Sequence, residues 1–204
     1  MVNPRLLRPL LAPVARRELG HRFDRPTIRR ILDDSFANYM AQRDRLPREA
    51  SVGGRLMVHF AALTVGLYRA LLSQGVTEEE ARELTAAVTW RAFRRMASVP
   101  TALARMRMGS PRTRVKRAND LFRRFPFSQP SYQMVDLASG PNVVAFDVHR
   151  CPVAEYFRSH GLGALCQVSW CNLDFRLARE WGIRLERPLT IAGGAKRCDF
   201  RWQV

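Results

Sequence analysis

Lysine is almost missing from this chain. Of 34 lysine and arginine residues only Lys116 and Lys196 are lysine, and the arginines run from Arg5 to Arg201 without gathering into one arm. A formal charge of +16 points to an anionic partner, such as nucleic acid, a membrane surface or an acidic small molecule. Aromatic platforms interleaved with the basic residues, which single-strand binding uses, are missing as well. The balance favours an arginine-rich solvated surface over a nucleic-acid interface. No uncharged apolar run reaches the roughly 18 residues a membrane span requires, and Pro4, Arg5, Arg8, Pro9 and Pro13 break up Met1 to Gly20 as a secretory leader. No low-complexity tract occurs, so disorder is expected only in the N-terminal tail. The four cysteines are too sparse for a disulfide scaffold and fit a reducing cytoplasm. There is no CxxC pair; Cys166 and Cys171, with four residues between them, are the only close cysteines. Gly161-Leu162-Gly163 lacks the third glycine and the preceding strand of a dinucleotide fingerprint, and no P-loop is present.

What is present reads as one domain over residues 1–204: a mainly helical scaffold over 1–130, and a cysteine-containing α+β part over 131–204. Asp24 and Pro26 mark a helix start, followed by Ile28, Ile31, Leu32, Phe36, Tyr39 and Met40 at helical spacing, and Arg43 to Arg48 ends it. A second helix runs from Ser51 to a C-terminal Gly75. A third opens on Thr77 and Glu80, spaced as a capping box, and continues to Pro100. Thr101 to Arg124 is basic and helical in pieces; it reads as an anion-binding or homo-oligomer contact face, or as a solvated helix face. After Pro130 the period changes. Tyr132 to Leu137 and Asn142 to Val148 read as a hairpin, Pro152 to His160 and Leu165 to Trp181 as helices closed by Gly161 and Gly182, and Ile183 to Ile191 and Arg197 to Val204 as two last strands. The predicted class is α+β, with a helical N-terminal half packed on a small antiparallel sheet and helices in the C-terminal half.

Chemistry concentrates in the last fifty-odd residues, which hold all four cysteines. Cys171 and Asp174 are three apart on a predicted helix and share a face. A thiol nucleophile needs a base or positive field, for which His149, His160, Arg150 and Arg197 are candidates; the packing alternative is a buried apolar Cys171. Cys198 shares a strand face with Phe200 and Trp202, so it points to the core while Asp199 and Arg201 point away. Cys151 sits at a strand-to-helix junction, where side chains reach pockets. A rival use of Cys151, Cys171, Cys198 and His149 is zinc or iron binding.

The run Arg150-Cys151 with Ala154-Glu155, the grouping Ser169, Cys171, Asn172 and Asp174, and the ending Thr190-Ile191, Gly194-Ala195 and Cys198-Asp199-Phe200-Arg201 resemble the L-2-amino-thiazoline-4-carboxylic acid hydrolase family. The resemblance covers about the last sixty residues well and the helical part in outline. It implies hydrolytic opening of a cyclic amidine, a small heterocycle, to an N-carbamoyl or S-carbamoyl cysteine; no cofactor is expected, with zinc or iron as the alternative. By analogy with thiol-dependent amidine hydrolases, Cys171 attacks the ring carbon, Asp174 holds the amidinium, and Cys198 or His149 manages protons. Arg201 or Arg150 takes the substrate carboxylate, with Cys151, Thr190 and Asp199 as further substrate contacts. Two departures stand out: Arg197 occupies a position where members commonly carry histidine, and Pro188 replaces a polar residue. A non-catalytic small-molecule or metal-binding protein, a sensor or a biosynthetic one, is the alternative use of the pocket.

Overall fold

The computed structural model describes residues 4–106 and 109–204. Met1 to Asn3 of the expected tail, and Arg107 and Met108 in the basic run, lie outside the described residues. The helices are α1 (Pro4–Leu19), α2 (Arg25–Gln42), α3 (Val52–Ser73), α4 (Glu78–Met96), α5 (Ser98–Arg105), α6 (Pro111–Arg124), α7 (Pro152–Ser159), α8 (Gly163–Cys166) and α9 (Leu173–Trp181). The strands are β1 (Gln133–Asp136), β2 (Val143–Arg150), β3 (Arg184–Glu186) and β4 (Cys198–Gln203). They form one antiparallel sheet in the order β1-β2-β4-β3. The α+β architecture is as the sequence predicts.

The helix starts follow their capping residues. Asp24 accepts from the Thr27 amide at 2.9 Å and Ser51 from the Gly54 amide at 2.9 Å, caps worth about 1 kcal/mol each. Thr77 caps α4 in the same way, but only half of the expected box forms, because the Glu80 carboxylate turns to Arg22 at 2.7 Å. Gly75, with φ 78°, turns the chain after α3. Pro100 does not end α4, which stops at Met96; it lies in the first turn of α5, where a missing amide costs nothing.

Three expectations are corrected. The N-terminal stretch is not a tail but α1, which buries Val14, Ala15 and Leu19. Pro9 and Pro13 cost an isolated helix about 3 kcal/mol each, so α1 depends on packing that its own sequence does not reveal. The helix expected over Leu165 to Trp181 is broken: α8 gives way to a π turn over Gln167–Cys171, and α9 begins at Leu173. The strand expected over Ile183 to Ile191 pairs only through Glu186, and Ile191–Gly193 is a 3-10 turn.

α3 carries buried residues on most of its circumference and packs against α2, α4 and α7. It is long and apolar enough to cross a membrane by length and composition, yet 67% of its most apolar window is buried inside the protein. That burial is how a central core helix is placed. One buried apolar cluster runs from Val14 in α1 to Trp202 in β4, crossing residue 130 without interruption. On the sheet face turned to the helices, Phe146 and Phe200 stack at 4.9 Å and Trp181 lies on Trp202 at 5.1 Å.

Candidate active site

The inner face of the sheet, α6, the π turn and α9 enclose a cavity of about 130 Å³. All four cysteines line it. Each arrives from a different piece of chain. Cys151 follows β2, Cys166 closes α8, Cys171 ends the π turn, and Cys198 opens β4. Strand alternation explains the last of these: Cys198, Phe200 and Trp202 face the cavity.

The π turn decides which cysteines meet. Asn172 donates its amide to Gln167 O at 2.9 Å, five residues back. In an α-helix, residues five apart point about 140° away from each other, whereas a π turn closes one revolution in close to that span. Cys166 and Cys171 therefore come to the same side, on the wall of one cavity, where each influences the other's titration. The turn is held by Ser169 Oγ donating to Leu165 O at 2.6 Å and by Trp170 Nε1 donating to Thr64 Oγ1 at 3.2 Å. Gly163 permits the close packing that seats this segment, since a Cβ there would stand 2.6 Å from Ala192 O.

Beside Cys171 lies an ion pair that the sequence reading missed. Arg187 has a side chain only 2% exposed, and its Nη1 reaches Asp174 Oδ2 at 2.5 Å. Its Nη2 donates to Cys171 O at 2.8 Å. The guanidinium lies 5.0 Å from the ring centres of both Phe175 and Phe200, a cation–π environment. A signal existed: Arg187 has the same strand parity as the buried Leu185, and Pro188 marks the end of pairing.

The four thiols differ electrostatically. A hydrogen bond from Cys166 holds Cys171 below the ordinary thiol value, with Arg187 acting in the same direction against the cost of burial. The converse donation to Cys171, together with burial, drives Cys166 well up. Burial pushes Cys198 up to about 11, although the Ile191 amide donates to its sulfur at 3.2 Å. Burial raises Cys151 further. Burial also pushes the Asp174 carboxyl up, with Arg187 opposing it. Cys171 is thus the one cysteine of the four whose pKa is shifted down, beside three whose pKa values are shifted up.

Four residues that line the same cavity carry a buried donor with no partner: Arg123 Nε, Tyr132 Oη, Arg187 Nε and Trp202 Nε1. Buried donors are rarely left unmade, so the cavity is prepared for an acceptor-bearing occupant. Its volume is close to that of the engineered apolar cavity of about 150 Å³ that takes benzene. A single small ring fits.

Of the residues singled out from the sequence, Cys171, Asp174, Cys198 and Cys151 are brought together here. The other five lie outside the cavity. His149 is exposed on the outward side of β2. Arg150 is spent on Glu49, in a two-pronged pair at 2.8 Å and 2.8 Å, and on Ser131 O and Glu155. Thr190 caps the 3-10 turn through the Gly193 amide. Asp199 accepts from the Leu189 amide at 2.7 Å. Arg201 donates to Asp147 and to the carbonyls of Phe146 and Phe200. Arg197 also pairs with Asp147, at 3.0 Å, and Pro188 is exposed, so neither departure from the family pattern touches the cavity. Although Cys151, Cys171 and Cys198 share the cavity, His149 does not join them, and among the described residues no three His, Cys, Asp or Glu side chains are grouped to hold a metal ion.

Fold and site together define an α+β protein with a thiol-lined cavity and a buried arginine–carboxylate pair on its wall. The chain belongs to the L-2-amino-thiazoline-4-carboxylic acid hydrolase family, whose model matches residues 57–202. The match starts within α3 and takes in α4 to α6 of the helical scaffold as well as most of the last sixty residues. The family is named for a hydrolase. No curated protein matches the chain.

Proposed function

We propose that the protein hydrolyses a non-peptide C–N bond, opening a cyclic amidine such as L-2-amino-thiazoline-4-carboxylate, with Cys171 as nucleophile. The observation that carries this reading is the thiol of lowered pKa beside the Arg187–Asp174 pair in a ring-sized cavity. The Cys171 thiolate adds to the ring carbon between sulfur and nitrogen. The ring C–N bond breaks, the nitrogen leaving as an amine after taking a proton, and the carbon stays bonded to Cys171, to the former ring sulfur and to the exocyclic nitrogen as a protonated dithiocarbonimidate. Water then adds to that carbon, Cys171 leaves as thiolate, and the product is an S-carbamoyl cysteine. The net change is one water gained.

The remaining groups suit this route. Asp174 Oδ2 is taken by Arg187, and Oδ1 receives an amidinium N–H. Cys166 and Cys198, which stay protonated, are proton donors on the cavity wall. Since Arg150 and Arg201 are committed elsewhere, the substrate carboxylate falls to the unpartnered donors, Arg187 Nε, Arg123 Nε, Tyr132 Oη and Trp202 Nε1. The chain itself supplies every group this route uses.

The test is mass spectrometry of L-2-amino-thiazoline-4-carboxylate incubated with wild type, Cys171→Ala and Cys171→Ser, each shown to be folded by circular dichroism. A gain of one water with wild type alone is expected. Turnover by Cys171→Ala overturns the nucleophile, and no turnover by folded wild type moves the reading to a binding protein that uses the same cavity.

A further inference from the structure

A second, larger cavity of about 290 Å³ lies among α1, α2, α3 and α4. It is lined by apolar side chains such as Leu11, Leu32, Phe60, Leu63 and Met96, and nothing in the proposed chemistry uses it. Native interiors seldom keep voids larger than a water molecule, and apolar cavities exclude water while accepting apolar guests. This one is roughly twice the size of the engineered cavity of about 150 Å³ that binds benzene. Its natural guest is therefore a longer apolar body.

The mouth of the cavity names the other end of that guest. Among the described residues that line it, only Arg8 of α1 and Arg95 of α4 are exposed, so these two guanidiniums mark the opening. No Asp or Glu is among the described lining residues. Arg8 pairs with Asp33 of α2 and lies 5.9 Å from the Phe36 ring, which fixes it at the rim. Inside, Thr64 Oγ1 donates to Phe60 O and accepts from Trp170, and Thr89 Oγ1 donates to Thr85 O, which leaves the Ser35 hydroxyl as the further polar group on the described lining. An apolar interior with a cationic mouth is complementary to an alkyl chain ending in an anion.

We infer that this cavity is a binding site for a medium-chain carboxylate, its alkyl chain buried among α1 to α4 and its carboxylate at Arg95, since Arg8 is taken by Asp33. The site is distinct from the cysteine cavity, with which it shares the wall residues Phe93, Trp170 and Leu173, and it does not depend on the hydrolase reading.

Isothermal titration of the full chain with dodecanoate and with dodecanol tests the inference. One dodecanoate per chain is expected, bound at least tenfold more tightly than dodecanol. Arg95→Ala, a change at an exposed position, should weaken dodecanoate at least fivefold and leave dodecanol unchanged. Ala92→Trp, which fills the cavity, should abolish binding of both while circular dichroism shows an intact fold. Absence of dodecanoate binding to wild type, equal affinity for the two ligands, or undiminished binding by folded Ala92→Trp overturns it. If Ala92→Trp does not fold, the wild-type ligand comparison and Arg95→Ala decide the matter alone.

Discussion

Arg187→Met isolates the pair on which the candidate site rests. The substitution keeps the length and apolar body of the side chain but removes the bonds to Asp174 and Cys171 O. Deleting one partner of a buried ion pair costs about 3–5 kcal/mol, because the other charge is left in apolar surroundings. The Asp174 side chain is 25% exposed, which places the loss at the low end, about 3 kcal/mol. In a chain of this size that lowers the melting temperature by about 6–12 °C. The pH dependence has a definite sign. Burial already sets the folded Asp174 pKa above its ordinary 3.8, and Arg187 restrains it; removing Arg187 raises it again. Native Asp174 then binds its proton to higher pH than the unfolded chain does, so the deficit of the variant opens as pH rises through the folded values and closes toward acid. The double variant Arg187→Met/Asp174→Leu leaves no unpaired charge and should recover part of the loss. Thermal and urea unfolding at pH 7 and pH 4 measure all of this. A single variant melting within about 2 °C of wild type at pH 7 would refute the argument that the pair is buried and coupled.

Two further outcomes follow from the same electrostatics. Iodoacetamide at neutral pH should modify Cys171 before Cys151 and Cys198, as peptide mass spectrometry reads it. Cys166→Ala should move the Cys171 profile to higher pH and slow its alkylation about tenfold, the factor carried by one charge-assisted hydrogen bond of about 1.5 kcal/mol; an unchanged profile contradicts the thiol–thiolate contact. Glu49, whose pKa Arg150 pulls below the ordinary 4.5, contributes stability that is present above 4.5 and lost as pH falls through its folded value. Glu49→Gln should therefore cost about 3 kcal/mol at pH 7 and progressively less toward pH 3, as urea midpoints would show. An equal deficit at both pH values counts against the pair.

Much of the fold could be read from local rules. Asp24, Ser51 and Thr77 start helices, Gly75, Gly161 and Gly182 turn the chain with positive φ, and the hairpin follows the change to a period of two. The α1 helix escaped because its prolines oppose helix formation locally and only burial of Val14, Ala15 and Leu19 overrides them. For the site, the alternation of β4 correctly sent Cys198 inward and Asp199 and Arg201 outward. The carboxylate role assigned to Arg201 by resemblance set that alternation aside, and the structure follows the alternation.

The sequence by itself determined the starts of α2, α3 and α4, the antiparallel sheet, the family and the gathering of thiol chemistry in the last fifty-odd residues, because caps, periodicity and motifs are properties of neighbours along the chain. Tertiary structure decided which groups meet. The π turn turned Cys166 to the side of Cys171, against the α-helical spacing the sequence suggests. Arg187 entered the cavity because its strand stopped pairing at Glu186, and Arg150 was diverted by Glu49, 101 residues away in the chain. Whether a charge is free for a substrate depends on partners that only folding brings near.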